Sequence, residues 1–137
     1  MTVSFCGHKE ILQDYIKEQL LVETEKLILS GARKFLLGGY GSFDYLAATT
    51  LKSLKTQYTH IESVIVLPYI NKKHAEDLYD YSIYPPIETV LPRFAITARN
   101  KWMVDNSDVV VAYVRHSGGA EQSLKYAQRK SKTIVLL

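Results

Sequence analysis

The chain has 137 residues, of which 47% are apolar and 23% charged, and a net charge of +3. That composition builds one hydrophobic core and excludes a disordered or collagenous chain. The longest apolar runs, Val109–Val114 and Ile134–Leu137, fall far short of the roughly 20 residues that span a bilayer.

The first residues, Met-Thr-Val-Ser-Phe, hold no basic stretch ahead of an apolar one, so no signal peptide is expected. The expectation is one cytoplasmic domain over residues 1–137. A single cysteine, Cys6, excludes an internal disulfide framework and a cysteine-based zinc cluster. The positive excess lies in residues 92–137, where Arg93, Arg99, Lys101, Arg115, Lys125, Arg129, Lys130 and Lys132 face Asp105, Asp108 and Glu121. These cations are dispersed, whereas an arm for nucleic acid or membrane is contiguous. Nucleic acid and membrane are therefore not the expected partners. A compact anion, which needs only one or two placed cations, is.

In chain order, residues 2–5 form a β-prone run closed by Cys6-Gly7-His8. Residues 9–30 read as a helix, because Ile11, Leu12, Tyr15, Ile16, Leu20, Leu27 and Ile28 recur at three- and four-residue steps. Gly31 stands where a glycine commonly ends a helix. Residues 34–37 form a second strand, ended by Gly38-Gly39-Tyr40-Gly41. Ser42 or a neighbour caps a helix to about Thr56. A third strand, 62–69, closes at Pro68. Residues 70–92 hold Pro85-Pro86 and Pro92, which exclude a long helix or a central strand. A helix over 93–106, a strand over 107–114, a helix over 120–131 and a strand over 133–137 complete the chain. Apolar strands alternating with helices predict an α/β fold with a parallel sheet covered on both faces. Right-handed crossovers gather the strand-to-helix turns at one sheet edge, where such sheets bind ligands.

Three turns then converge. Gly38, Gly39, Gly41 and Ser42 follow the second strand and open a helix, the setting in which backbone N–H groups hold phosphate. The spacing fits neither a P-loop nor a Gly-x-Gly-x-x-Gly fingerprint. Ser117, Gly118 and Gly119 form the second glycine turn, and Gly7 with His8 the third. Arg99 and its neighbour Asn100 precede the fourth strand, and an arginine fork suits phosphate or carboxylate. Asp44 and Glu121 fall in first helical turns, where a carboxylate complements the dipole. Beside a ribose, either can hydrogen-bond hydroxyls or act as a general base. The four histidines stand apart, so no metal is expected, and no cofactor is. Tyr40, Tyr69 and the tyrosines of 79–84 are candidates to stack on a base.

Several segments carry a resemblance. Phe5-Cys6-Gly7-His8 is similar to the Phe-Cys-Gly-Ser segment of the lonely guy cytokinin-activating proteins. Phe35-Leu36-Leu37-Gly38-Gly39-Tyr40-Gly41 resembles their second-strand glycine turn. Arg99-Asn100-Lys101-Trp102-Met103 keeps the spacing of their Arg-Lys-x-x-Met motif. From Val3 to Leu137 the chain resembles the SLOG superfamily, which joins Smf/DprA and lonely guy proteins. The likeness is greatest to small bacterial and phage members of the YpsA group. It implies a three-layer Rossmann-like sandwich of about five strands in the order 3-2-1-4-5. One departure matters. Lonely guy enzymes carry Pro-Gly-Gly-x-Gly-Thr-x-x-Glu, and here Ser117-Gly118-Gly119-Ala120-Glu121-Gln122-Ser123-Leu124-Lys125 puts Lys125 where their catalytic glutamate stands.

The resemblance implies a module that binds a nucleotide or nucleotide-derived small molecule, as a sensor or by sequestering it. An N-glycosidase using Glu121 or Asp44 is the enzymatic alternative. A DNA-related module like Smf/DprA is the third reading. Either residues 70–92 or a second subunit of a homo-oligomer supplies the far wall of the pocket.

Overall fold

The computed structural model of the protein describes residues 1–70 and 72–137. Its strands are β1 (Thr2–Gly7), β2 (Lys34–Leu37), β3 (Glu62–Val66), β4 (Tyr81–Ile83), β5 (Val109–Tyr113) and β6 (Thr133–Leu136). Its longer helices are α1 (Ile16–Leu29), α2 (Ser42–Lys55), α3 (Ala95–Asp105) and α4 (Gly119–Arg129). Every pairing is parallel, in the order β4-β3-β2-β1-β5-β6. This is the Rossmann-like α/β fold, with the expected order of strands. The strand beyond the five expected, β4, lies at the edge, inside the proline-rich segment. Only an edge tolerates such a segment, because proline donates no ladder hydrogen bond. Asp80 fixes it there: its carboxylate accepts the Ser63 N–H at 2.7 Å and pairs with Lys55.

The strands are apolar because both faces are covered. Val3, Phe5, Phe35, Leu37, Val109 and Val111 pack with α1 and α2 on one face. Leu36, Val64 and Val66 pack with Met103 of α3 on the other, and Val110 with Val104 and with Ala127 of α4. The chain reverses direction across the sheet at β1, which β2 and β5 flank. The crevice outside the ends of these strands is where a doubly wound sheet takes its ligand.

The first helix is shorter than the periodicity over 9–30 predicts. It begins at Ile16, and Leu12 and Tyr15 are 77% and 55% exposed. Residues 9–15 serve neighbouring backbone instead. The Lys9 carbonyl accepts the Ser42 N–H at 2.8 Å, and the Tyr113 hydroxyl reaches the Leu12 N–H and the Gln13 side chain. The segment thus covers the start of α2. Gly41, at φ +91°, lets it lie close, since a Cβ there would stand 2.8 Å from the Lys9 Cα. No helix among the described residues is long and apolar enough to cross a membrane.

Gly7 ends β1 against the fully buried ring of Phe43. A Cβ on Gly7 would lie 2.2 Å from that ring. Gly7→Ala should therefore cost about 1–3 kcal/mol by overpacking. Urea unfolding measures this, and a change below about 0.5 kcal/mol contradicts the packing account.

Candidate functional site

A cavity of about 340 Å³ opens at the C-terminal ends of β1, β2 and β5. Of the residues expected there, Gly7, His8, Gly38, Asp44, Arg99, Asn100, Gly118 and Gly119 line it. Gly39, Gly41, Ser42, Ser117 and Glu121 are not among its lining residues. Glu121 faces Lys125, with 3.4 Å between carboxylate and ammonium.

The two glycine turns differ in what already occupies them. At the first, the Asp44 carboxylate accepts the Tyr40 N–H at 3.2 Å. The backbone of Gly38 and Gly39 beside it also favours the ionised carboxyl. The protein's own carboxylate thus sits where a phosphate was expected. Gly39 has a packing reason: a Cβ there would stand 2.5 Å from Ile65 Cδ1. The Ser42 N–H, the first of α2, is given to the Lys9 carbonyl.

The second turn is open. The helix α4 begins at Gly119 with no side-chain cap. The N–H groups of Gly118, Gly119 and Ala120 have no acceptor among the described residues. All three residues line the cavity, as does Ser123 one turn on. An uncapped helix start offers orphan donors and positive potential to an anion.

Arg99 joins the two turns. Only 4% exposed, it donates through Nη1 to the carbonyls of Gly38 at 2.8 Å and Val66 at 2.9 Å. Its Nε donates to Asn100 Oδ1 at 2.8 Å. The Nη2 donors have no acceptor among the described residues, and Arg99 lines the cavity. Burial lowers the Arg99 pKa, and Asp44 and Tyr69 raise it again. Gly38 makes the arrangement possible, because a Cβ there would stand 3.2 Å from both Arg99 Cζ and Asp44 Oδ2.

His8 acts on the protein rather than outward. Its Nε2 accepts the Arg115 N–H at 2.6 Å and the His116 N–H at 3.3 Å. An acceptor Nε2 requires the neutral ring. Burial lowers its pKa, with His116 and Arg115 adding to the effect. The His8 and His116 rings stack at 3.7 Å between centroids. These contacts hold the backbone that leads into the open turn.

Sequence reasoning missed His116 and Ser123 as lining residues. Ser123 was legible in principle, since it lies four residues from Gly119 on one helical face. Tyr40, a stacking candidate, also lines the cavity and is 61% exposed. No residue of 70–92 is among the lining residues. Cys6 lines the cavity, but burial and the Asp44 charge push its thiol up to about 12, so it is inert as a nucleophile. Among the described residues no three His, Cys, Asp or Glu side chains gather as a metal site.

Several solved structures share this architecture, two of which illustrate it. One is DNA processing protein A from Helicobacter pylori, described for its single-stranded DNA binding mode. It has a TM-score of 0.68 and 18% identity over 99% of this chain. This chain spans 64% of that protein's length. The other is the structural-genomics protein TM1055, with a TM-score of 0.62 and 15% identity. It covers 97% of this chain and is itself covered over 71%. At such identities the likeness establishes the fold alone. No family model matches the chain, and no curated protein matches it in sequence.

Burial pushes the Asp44 carboxyl from 3.8 up to about 6, against the pull of Tyr40, Arg99, Gly38 and Gly39. The folded protein thus holds that proton more tightly than the unfolded chain does. The stability it contributes is full below pH 3.8 and is lost as the pH rises through 6. Relative to Asp44→Asn, the wild type should lose about 2 kcal/mol between pH 4 and pH 7. Urea unfolding of both across that range checks this, and a pH-independent difference contradicts it.

Proposed function

We propose that the protein is a small YpsA-like member of the SLOG superfamily. It binds a nucleotide or nucleotide-derived small molecule, as a sensor or to sequester it. The phosphate lies at the start of α4, on the N–H groups of Gly118, Gly119 and Ala120, within reach of Arg99 Nη2 and Asn100. The observation that carries this reading is the pairing of an uncapped helix start with a buried, half-free guanidinium on one cavity. Gly38, Asp44 and His8 set the frame of the pocket. Tyr40 is the face on which a base can stack.

Two features weigh against hydrolysis. Lys125 stands where lonely guy enzymes carry glutamate, and Glu121 pairs with that lysine. The cavity's own carboxylate, Asp44, is turned into the first glycine turn. Single-stranded DNA binding is the second reading, supported by the likeness to the Helicobacter pylori protein.

Gly119→Asp is the sharpest test. A Cβ there meets nothing within 4 Å, so the new side chain is accommodated. A carboxylate in a first helical turn stabilises by about 0.3–1 kcal/mol while competing for the same N–H groups. Nucleoside monophosphates at 100 times their dissociation constant should stabilise the wild type by about 2.7 kcal/mol, a rise of several degrees in Tm. Gly119→Asp should melt at or above the wild-type temperature and lose the ligand shift. A retained shift contradicts the site. No shift with any nucleotide, together with steeply salt-dependent oligonucleotide binding, favours the DNA reading.

A further inference from the structure

The cavity does not end at the start of α4. A groove of about 330 Å³ continues from it between α3 and α4, and Ile96, Asn100, Gly119 and Ser123 line both. Its other lining residues include Lys101, Lys125, Tyr126 and Arg129, and no carboxylate. On α4, Gln122, Lys125, Tyr126 and Arg129 recur at three- and four-residue steps, so they form one stripe along the helix. On α3, Thr97, Asn100 and Lys101 do the same.

The charges are gathered more tightly than surface lysines need be. Lys101, Arg129 and Lys130 lie 5.6, 5.7 and 5.5 Å from the centre of the Tyr126 ring. Two carboxylates answer them. Asp105 accepts the Tyr126 hydroxyl at 2.8 Å and faces Lys130 at 3.8 Å. Glu121 faces Lys125. Lys101 and Arg129 have no carboxylate within 4.0 Å among the described residues. Cations crowded on one ring repel each other, and an anion in the groove relieves that repulsion.

We propose that this groove is a second phosphoryl subsite, and that the ligand carries two phosphoryl groups separated by a nucleoside, as a 5′-phosphorylated dinucleotide does. The proposal rests on the phosphate site at the start of α4, and the spacing follows from helix geometry. Lys125 lies six residues beyond Gly119, about 9 Å along the axis, and Arg129 about 15 Å. The adjacent phosphoryl groups of a nucleoside diphosphate both stay at the helix terminus and leave those cations unused. A phosphoryl group one nucleoside away reaches them. A second copy of this chain is a poor occupant, because a two-fold contact would set the same cations against one another.

The test is calorimetric titration of the full chain, at one fixed salt concentration, with four 5′-mononucleotides and the matching 5′-phosphorylated dinucleotides. A dinucleotide should bind at least ten-fold more tightly than its mononucleotide. Lys101→Ala with Arg129→Ala should bring its affinity down to the mononucleotide level. Both side chains are exposed, so the core is untouched. Equal affinities for the two ligands overturn the second subsite, as does dinucleotide binding indifferent to the double substitution. Measurable mononucleotide binding in either case leaves the first subsite standing, and its absence removes that site instead. Affinity that keeps rising from two to eight nucleotides overturns the two-phosphoryl ligand in favour of a strand-tracking surface.

Discussion

Arg99 and Asp44 stand on either side of Gly38, and the character of the cavity follows from that placement. The guanidinium holds the carbonyls of Gly38 and Val66, tying the ends of β2 and β3 to α3. The carboxylate accepts the Tyr40 N–H of the turn after β2. Each charge offsets part of the other's burial. An ionised group this deep is costly unless it is paired and hydrogen-bonded. The pair is therefore a constraint on the whole edge of the sheet: Gly38 must lack a side chain, and the first turn must fold around its own carboxylate.

This constraint makes two similar turns unequal. Both follow a strand, both hold paired glycines, and both open a helix. One is filled by Asp44 and covered by the Lys9 carbonyl. The other is left with orphan donors facing a cavity. The cavity is consequently polar in one direction, with a carboxylate at the α2 end and helix-terminus donors at the α4 end. A ligand with an anionic group at one pole and hydrogen-bond donors at the other fits that gradient. His8 contributes by holding the Arg115–His116 backbone in the neutral state, so the open turn is held in place before any ligand arrives.

Much of this was legible in the sequence. Strands such as Val109–Val111 and Phe35–Leu37 announce a covered parallel sheet, and their order across it was implied by the family resemblance rather than by the alternation of elements. The turns after the first, second and fourth predicted strands could be placed at one edge from handedness alone. Two things were not legible. The periodicity of Ile11, Leu12 and Tyr15 mimics a helical face, but those residues serve a connection whose value is its backbone carbonyl at Lys9. Tyr81–Ile83 lacks any pattern of its own and becomes a strand because Asp80 binds Ser63 and Lys55. Nor did spacing reveal which glycine turn was free. That depends on where one carboxylate, Asp44, points, and its position in a first helical turn is equally compatible with capping, catalysis and filling an anion site.

The assignment of the anion to one turn can be read residue by residue. Amide nitrogen–proton correlation spectra of the protein, recorded during titration with inorganic phosphate at pH 7.5, report which N–H groups take the anion. The account predicts progressive shifts at Gly118, Gly119 and Ala120, with Gly39 and Tyr40 little changed. Shifts centred on Gly38 to Ser42, with the start of α4 silent, would contradict it.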